Sequence, residues 1–130
     1  MKTKLEVYCA YLPYNPSMYN TVYGYYSTLR FIHTSHTLDE NVLILRPLSA
    51  IFTPMKHPQT SEHIENPAAW IAKKLGAGYR GGAIRTYLEG NDFTGVCHYS
   101  REIDALALEL HFDIYGAIEK GFAIEYGAAQ

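Results

Sequence analysis

The sequence predicts a single α+β domain, with a mainly antiparallel sheet of five or six strands covered by a C-terminal helix and one shorter helix. Three observations carry that expectation. The chain has 130 residues, within the usual size of one domain and too few for two independent cores. Its first half is dense in β-formers, while its last third places apolar residues at three- and four-residue spacing. Its 48% hydrophobic and 18% charged residues are enough to build a core without the help of a partner.

The elements follow in order. Leu5, Val7, Cys9 and Tyr11 alternate with Lys4, Glu6, Tyr8 and Ala10, the period-two pattern of a strand over 4–12 with one buried face. Pro13 and Pro16 then force a turn. From Thr21 to His33 the β-formers predict a long strand, or a hairpin interrupted near Gly24. The polar stretch 34–41 ends it, and Val42-Leu43-Ile44-Leu45 reads as a short central strand covered on both faces. Residues 53–67 contain Pro54, Pro58 and Pro67 and read as a loop, until Asn66 caps a helix that Pro67 begins and Gly76 ends, with Ala68, Ile71, Ala72 and Leu75 as its stripe. Gly76 to Gly82 reads as a flexible loop, and 83–88 with 93–99 as a hairpin around Gly90-Asn91-Asp92. Ser100 is expected to cap a helix over 101–120 whose stripe is Ile103, Leu106, Ala107, Leu110, Ile114, Ala117 and Ile118, with Gly121 as its end. Phe122 to Tyr126 is expected to form a terminal strand or an extended tail.

Composition excludes several classes of function. A formal charge of −2 supplies no general field for phosphate backbones or anionic lipid, so general nucleic-acid binding is not expected. No run of apolar residues approaches the roughly 18–20 needed to cross a membrane, and Glu6 interrupts any signal-peptide core. Cys9 and Cys97 are too few for a disulfide framework and are expected as free buried thiols, which points to the cytoplasm. The 12 tyrosines suit half-buried strands first and binding surfaces second.

Three blocks carry a resemblance. Ala10-Tyr11-Leu12-Pro13-Tyr14, Leu45-Arg46-Pro47-Leu48-Ser49 and the run from His111 to Ile124 occur in that order. Together they resemble a family of short uncharacterised proteins from phages and prophages of Bacteroides-type gut bacteria, in which a YLPY start, an LRPLS middle and an HFDVFGLIEKGLAI end are typical. The resemblance implies a phage or prophage origin, and hence the cytoplasm of an infected or lysogenic bacterium. It carries no activity and transfers no catalytic residue.

Among individual residues, Arg46 stands at a strand end beside proline, a fixed guanidinium fork suited to carboxylate or phosphate; the structural alternative is a bridge to Asp113 or to a helix C-terminus. Tyr79, Arg80 and Arg85 surround Gly81-Gly82, where an aromatic plane, two cations and an approachable backbone suit a nucleotide, although Walker and GxGxxG spacings are both missing. With Tyr14 these residues make up the expected ligand set. No HExxH or CxxC occurs, so neither a metal nor a cofactor is expected. His33-Thr34-Ser35 and His98-Tyr99-Ser100 each fit H-x-[ST], which would make His33 and His98 the catalytic pair of a two-histidine phosphodiesterase. Neither match has the apolar flanks such motifs carry. The expected function is therefore a non-enzymatic phage accessory protein, binding a host defence protein or sequestering a small nucleotide signal, with homo-oligomerisation expected from the tyrosine surface. A phosphodiesterase and a minor virion structural or assembly protein are the alternatives.

Overall fold

The computed structural model describes residues 2–32, 35–76, 80–90 and 100–126. It is an α+β structure whose residues gather into two compact units, one made of 1–47 with 115–130 and the other of 48–114.

The first unit opens with helix α1, Lys4–Tyr11, where a strand was expected. Two forces decide for the helix. Thr3 and Glu6 form a capping box, each side chain accepting from the other's backbone N–H, so two donors of the first turn are satisfied. Val7, Tyr8 and Tyr11 then bury one helical face, while Leu5 and Cys9 stay exposed. Cys9 is thus a surface thiol, contrary to the buried one expected, and Cys97 lies outside the described residues. A short 3₁₀ turn, Leu12–Tyr14, follows.

Strands β1 (Ser17–Asn20) and β2 (Tyr26–Thr28) form an antiparallel hairpin with Ser17 opposite Thr28 and Tyr19 opposite Tyr26. The pairing begins earlier than the β-former density implied, and Gly24 takes the positive φ of 71° that its connection needs. Helix α2, Ser35–Glu40, occupies most of the stretch expected to be irregular. It leads into β3, Asn41–Leu45, whose Leu43, Ile44 and Leu45 are buried as a central strand requires. In this sheet β1 pairs antiparallel with β3, and β3 pairs parallel with the last strand.

The second unit contains two short strands, β4 (Met55–Lys56) and β5 (His63–Ile64), paired antiparallel within the expected loop. Helix α3, Pro67–Leu75, is capped as the sequence predicts: Asn66 Oδ1 accepts from Ala69 N at 3.1 Å, and Gly76 ends it in the left-handed region. Helix α4, Gly81–Leu88, replaces the first arm of the expected hairpin, because Ile84 and Leu88 bury one face at four-residue spacing. The second arm, 93–99, lies outside the described residues. Helix α5, Ser100–Glu109, packs against α3, and the core joins Ile51, Ile64, Ile71, Ile84, Ile103, Leu110 and Phe112.

The helix expected to run to residue 120 stops at Glu109. His111 adopts φ 64°, its N–H donates to Leu108 O at 2.9 Å, and Phe112 N–H donates to Ala107 O at 3.0 Å. That pair of bonds is a Schellman ending, with histidine where glycine is usual. The pattern recurs at Gly121, whose N–H donates to Ile118 O at 3.2 Å while Phe122 N–H donates to Ala117 O at 2.9 Å. The chain then returns to the first unit as β6, Ala123–Glu125. The sheet order is β2-β1-β3-β6, so one mixed four-stranded sheet and a separate two-stranded one replace the expected five or six antiparallel strands.

Candidate functional site

The β1–β2 hairpin sets out an aromatic surface. Asn20 is buried at the end of β1, and its Oδ1 accepts from Val22 N at 3.0 Å and Tyr23 N at 2.7 Å. Those bonds hold the backbone in a tight asparagine turn. Beyond it Val22, Tyr23, Tyr25, Tyr26 and Phe31 stand exposed, Tyr23 at 73%. Side chains alternate along a strand, so the register puts Tyr26, Tyr19, Val42, Ile44 and Ile124 on one face of the sheet. Tyr19 and Tyr26 lie with ring centroids 5.2 Å apart on that face. Helix α1 supports the sheet: the buried Tyr8 hydroxyl donates to Asn41 O at 2.5 Å, and burial pushes its phenol above the ordinary tyrosine value.

The second unit holds a histidine that sequence reasoning did not single out. His57 is buried, with Nε2 2.7 Å from Glu109 Oε2 and its ring centroid 5.7 Å from that of Trp70. Its Nδ1 accepts from Gln59 N at 3.1 Å and Thr60 N at 3.2 Å, which assigns the ring proton to Nε2, facing Glu109. The arrangement superficially resembles a catalytic dyad. Both nitrogens are nevertheless committed, one to the turn that joins β4 to β5 and one to the end of α5, so the ring is a structural tie with no lone pair left to act as a base. Its only sequence signal is that it precedes Pro58 at the head of a tight turn.

No protein-family model matches the chain, and neither the curated proteins nor the solved structures contain a match.

The expected ligand residues are divided between the units. Arg46 follows β3 in the first unit, half-buried, with its guanidinium carbon 4.2 Å from the Tyr126 ring centroid. Burial lowers its pKa, and Tyr126 acts in the opposite sense. The aromatic plane against Arg46 is therefore that of Tyr126, whereas Tyr14 ends the 3₁₀ turn, half-buried. Arg80 and Arg85 belong to the second unit: Arg80 is the exposed N-cap of α4, and Arg85 Nε donates to Glu89 Oε1 at 2.7 Å with its guanidinium 5.2 Å from the Phe52 ring centroid. Arg85 is thus already neutralised. Tyr79, His33 and His98 lie outside the described residues. Among the described residues no group of three His, Cys, Asp or Glu is placed to hold a metal, and no helix is long and apolar enough to cross a membrane.

Proposed function

We propose that this chain is a small accessory protein of phage or prophage origin that acts by stoichiometric binding to a host protein, with the β1–β2 hairpin as its contact surface. The observation that carries the reading is the exposure of Val22, Tyr23, Tyr25 and Tyr26 on the β1–β2 hairpin, with Phe31 exposed three residues after it. Exposing these side chains costs solvation free energy, and aromatic residues are the group that dominates protein-interface energetics. Their rings combine a wide apolar face with a phenolic hydroxyl, and tyrosine loses little rotamer entropy when it docks. Residues 17–32 contain one charged side chain, Arg30, so desolvating this surface carries little electrostatic penalty. A protein partner matches these properties better than a phosphate-rich one does.

The test is photo-crosslinking in a lysate of the host bacterium from benzoylphenylalanine at position 25, placed both in the parent chain and in a Val22→Ser, Tyr23→Ser, Phe31→Ser variant. A discrete crosslinked host protein is expected, whose recovery with the serine variant falls by about tenfold or more, the loss expected when interface hot spots are removed. Recovery unchanged by the variant would overturn the hairpin as the contact. A crosslink only to a second copy of the chain would replace the host partner with self-association.

A further inference from the structure

Apart from the hairpin, the first unit contains a half-buried cation, Arg46, that no carboxylate among the described residues pairs with. We propose that Arg46 and Tyr126 form a binding site for a nucleoside phosphate, the guanidinium taking a phosphate oxyanion and the open face of the Tyr126 ring taking the base. The site goes beyond the hairpin reading and is independent of it.

Parallel pairing brings the two residues together. Arg46 follows the last residue of β3 and Tyr126 the last residue of β6, and Leu45 lies opposite Glu125 in the register. Both therefore leave the carboxyl ends of neighbouring parallel strands, the end at which open sheets characteristically receive ligands. The Tyr126 N–H donates to Leu45 O at 2.9 Å, which extends the pairing by one step and fixes the aromatic residue beside the arginine. By alternation Arg46 and Tyr126 share a face with Ile44 and Ile124, and Glu125 belongs to the other face.

The electrostatics point the same way. A half-buried guanidinium normally finds a carboxylate, because an unpaired charge away from water is costly. Arg85 has Glu89, but no carboxylate among the described residues pairs with Arg46. Among the described residues its compensation is Tyr126, a contact weaker than a bidentate oxyanion. The ring contact leaves the planar fork of N–H donors able to meet an oxyanion. Tyr126 remains 62% exposed, so its ring still offers surface to a second flat group.

The experiment uses the full chain, with the Arg46 Nε–H resonance as reporter and inorganic pyrophosphate, adenosine and ADP as probes. Pyrophosphate is expected to shift that resonance saturably, and ADP to bind about tenfold more tightly than pyrophosphate because stacking adds to the charge contact. Arg46→Gln lacks that reporter, so binding is read from the backbone amides, where the shifts that pyrophosphate and ADP cause in the parent chain should vanish. Arg46→Lys retains the charge and the fold but loses the planar fork, so it should bind several-fold more weakly. Tyr126→Leu should remove the advantage of ADP and leave pyrophosphate nearly unchanged. An Arg46 Nε–H that stays still at tens of millimolar pyrophosphate overturns the site, as does wild-type binding by Arg46→Gln. ADP no tighter than pyrophosphate overturns the base contact alone, and N-acetylglycine competing equally with pyrophosphate reassigns the site to carboxylates. The serine-substituted hairpin variant should bind ADP as the parent chain does, which keeps the failure of either proposal separate from the other.

Discussion

Single residues decide much of the first unit. Tyr8 is a fully buried ring whose hydroxyl has a backbone carbonyl as acceptor, and burial disfavours its phenolate. The folded state therefore holds the phenolic proton more tightly than the unfolded chain, which releases it near the ordinary value of 10.0. Stability from this group is complete below pH 10 and is lost as the pH rises through and beyond that value. Tyr8→Phe should cost about 1 kcal/mol at neutral pH, one neutral hydrogen bond, and should show a shallower alkaline decline in denaturant midpoint than the parent chain. Equal alkaline slopes would refute the assignment. Asn20 works on the hairpin in a comparable way. Asn20→Ala leaves the N–H groups of Val22 and Tyr23 without their acceptor and should cost about 1–3 kcal/mol in urea unfolding. It should also weaken partner recovery even though it alters no exposed aromatic side chain, and a variant of parental stability would show that the turn holds itself.

At the scale of elements, what could be read from the sequence depended on whether the signal was local. Helix α3 was legible because Asn66, Pro67 and Gly76 each satisfy a terminal backbone requirement within a residue or two. Strand β3 was legible from a short apolar run, and β6 falls where a terminal strand or extended tail was expected. Helix α1 was misread because Leu5, Val7, Cys9 and Tyr11 alternate like a strand, while Thr3 and Glu6 carried the stronger capping signal. Helix α5 was overextended because the apolar spacing continues past its end, and no glycine marks His111 as the stop. Leu110 is the last residue of that stripe to be fully buried before the turn, in contact with the second unit's core. Leu110→Ala should therefore still cost about 2–5 kcal/mol by chemical denaturation, and a loss below half of one would place it outside the core. The candidate site was half legible: Arg46 stood out by charge and position, but its partner Tyr126 is 80 positions away (126 − 46) and meets it only through the parallel pairing. The commitment of both nitrogens of His57 is likewise a matter of three-dimensional geometry.

On the scale of the whole molecule, the exposed aromatic hairpin leads to one expectation about assembly. Light scattering at high micromolar concentration should give a mass of about twice that of the chain, because an aromatic edge is complementary to its own copy across a two-fold axis. The serine-substituted hairpin variant should return to the monomer mass. A monomeric parent would remove self-association, whereas a dimer is expected to give way to the host protein when that partner is added.

The parallel pairing of β3 with β6 bears on how the chain is made. The ribosome releases β3 long before β6, with every residue from 48 to 114 synthesised in between. Throughout that interval the nascent sheet carries β3 as an unpaired, apolar edge, and Arg46 has no ring to stack on. Closing so long a loop is entropically slow, and an open edge beside an exposed aromatic hairpin is the kind of surface on which incomplete chains adhere to one another. A chain truncated before residue 123 stays in that condition permanently, which makes it a natural client for a holdase or a protease.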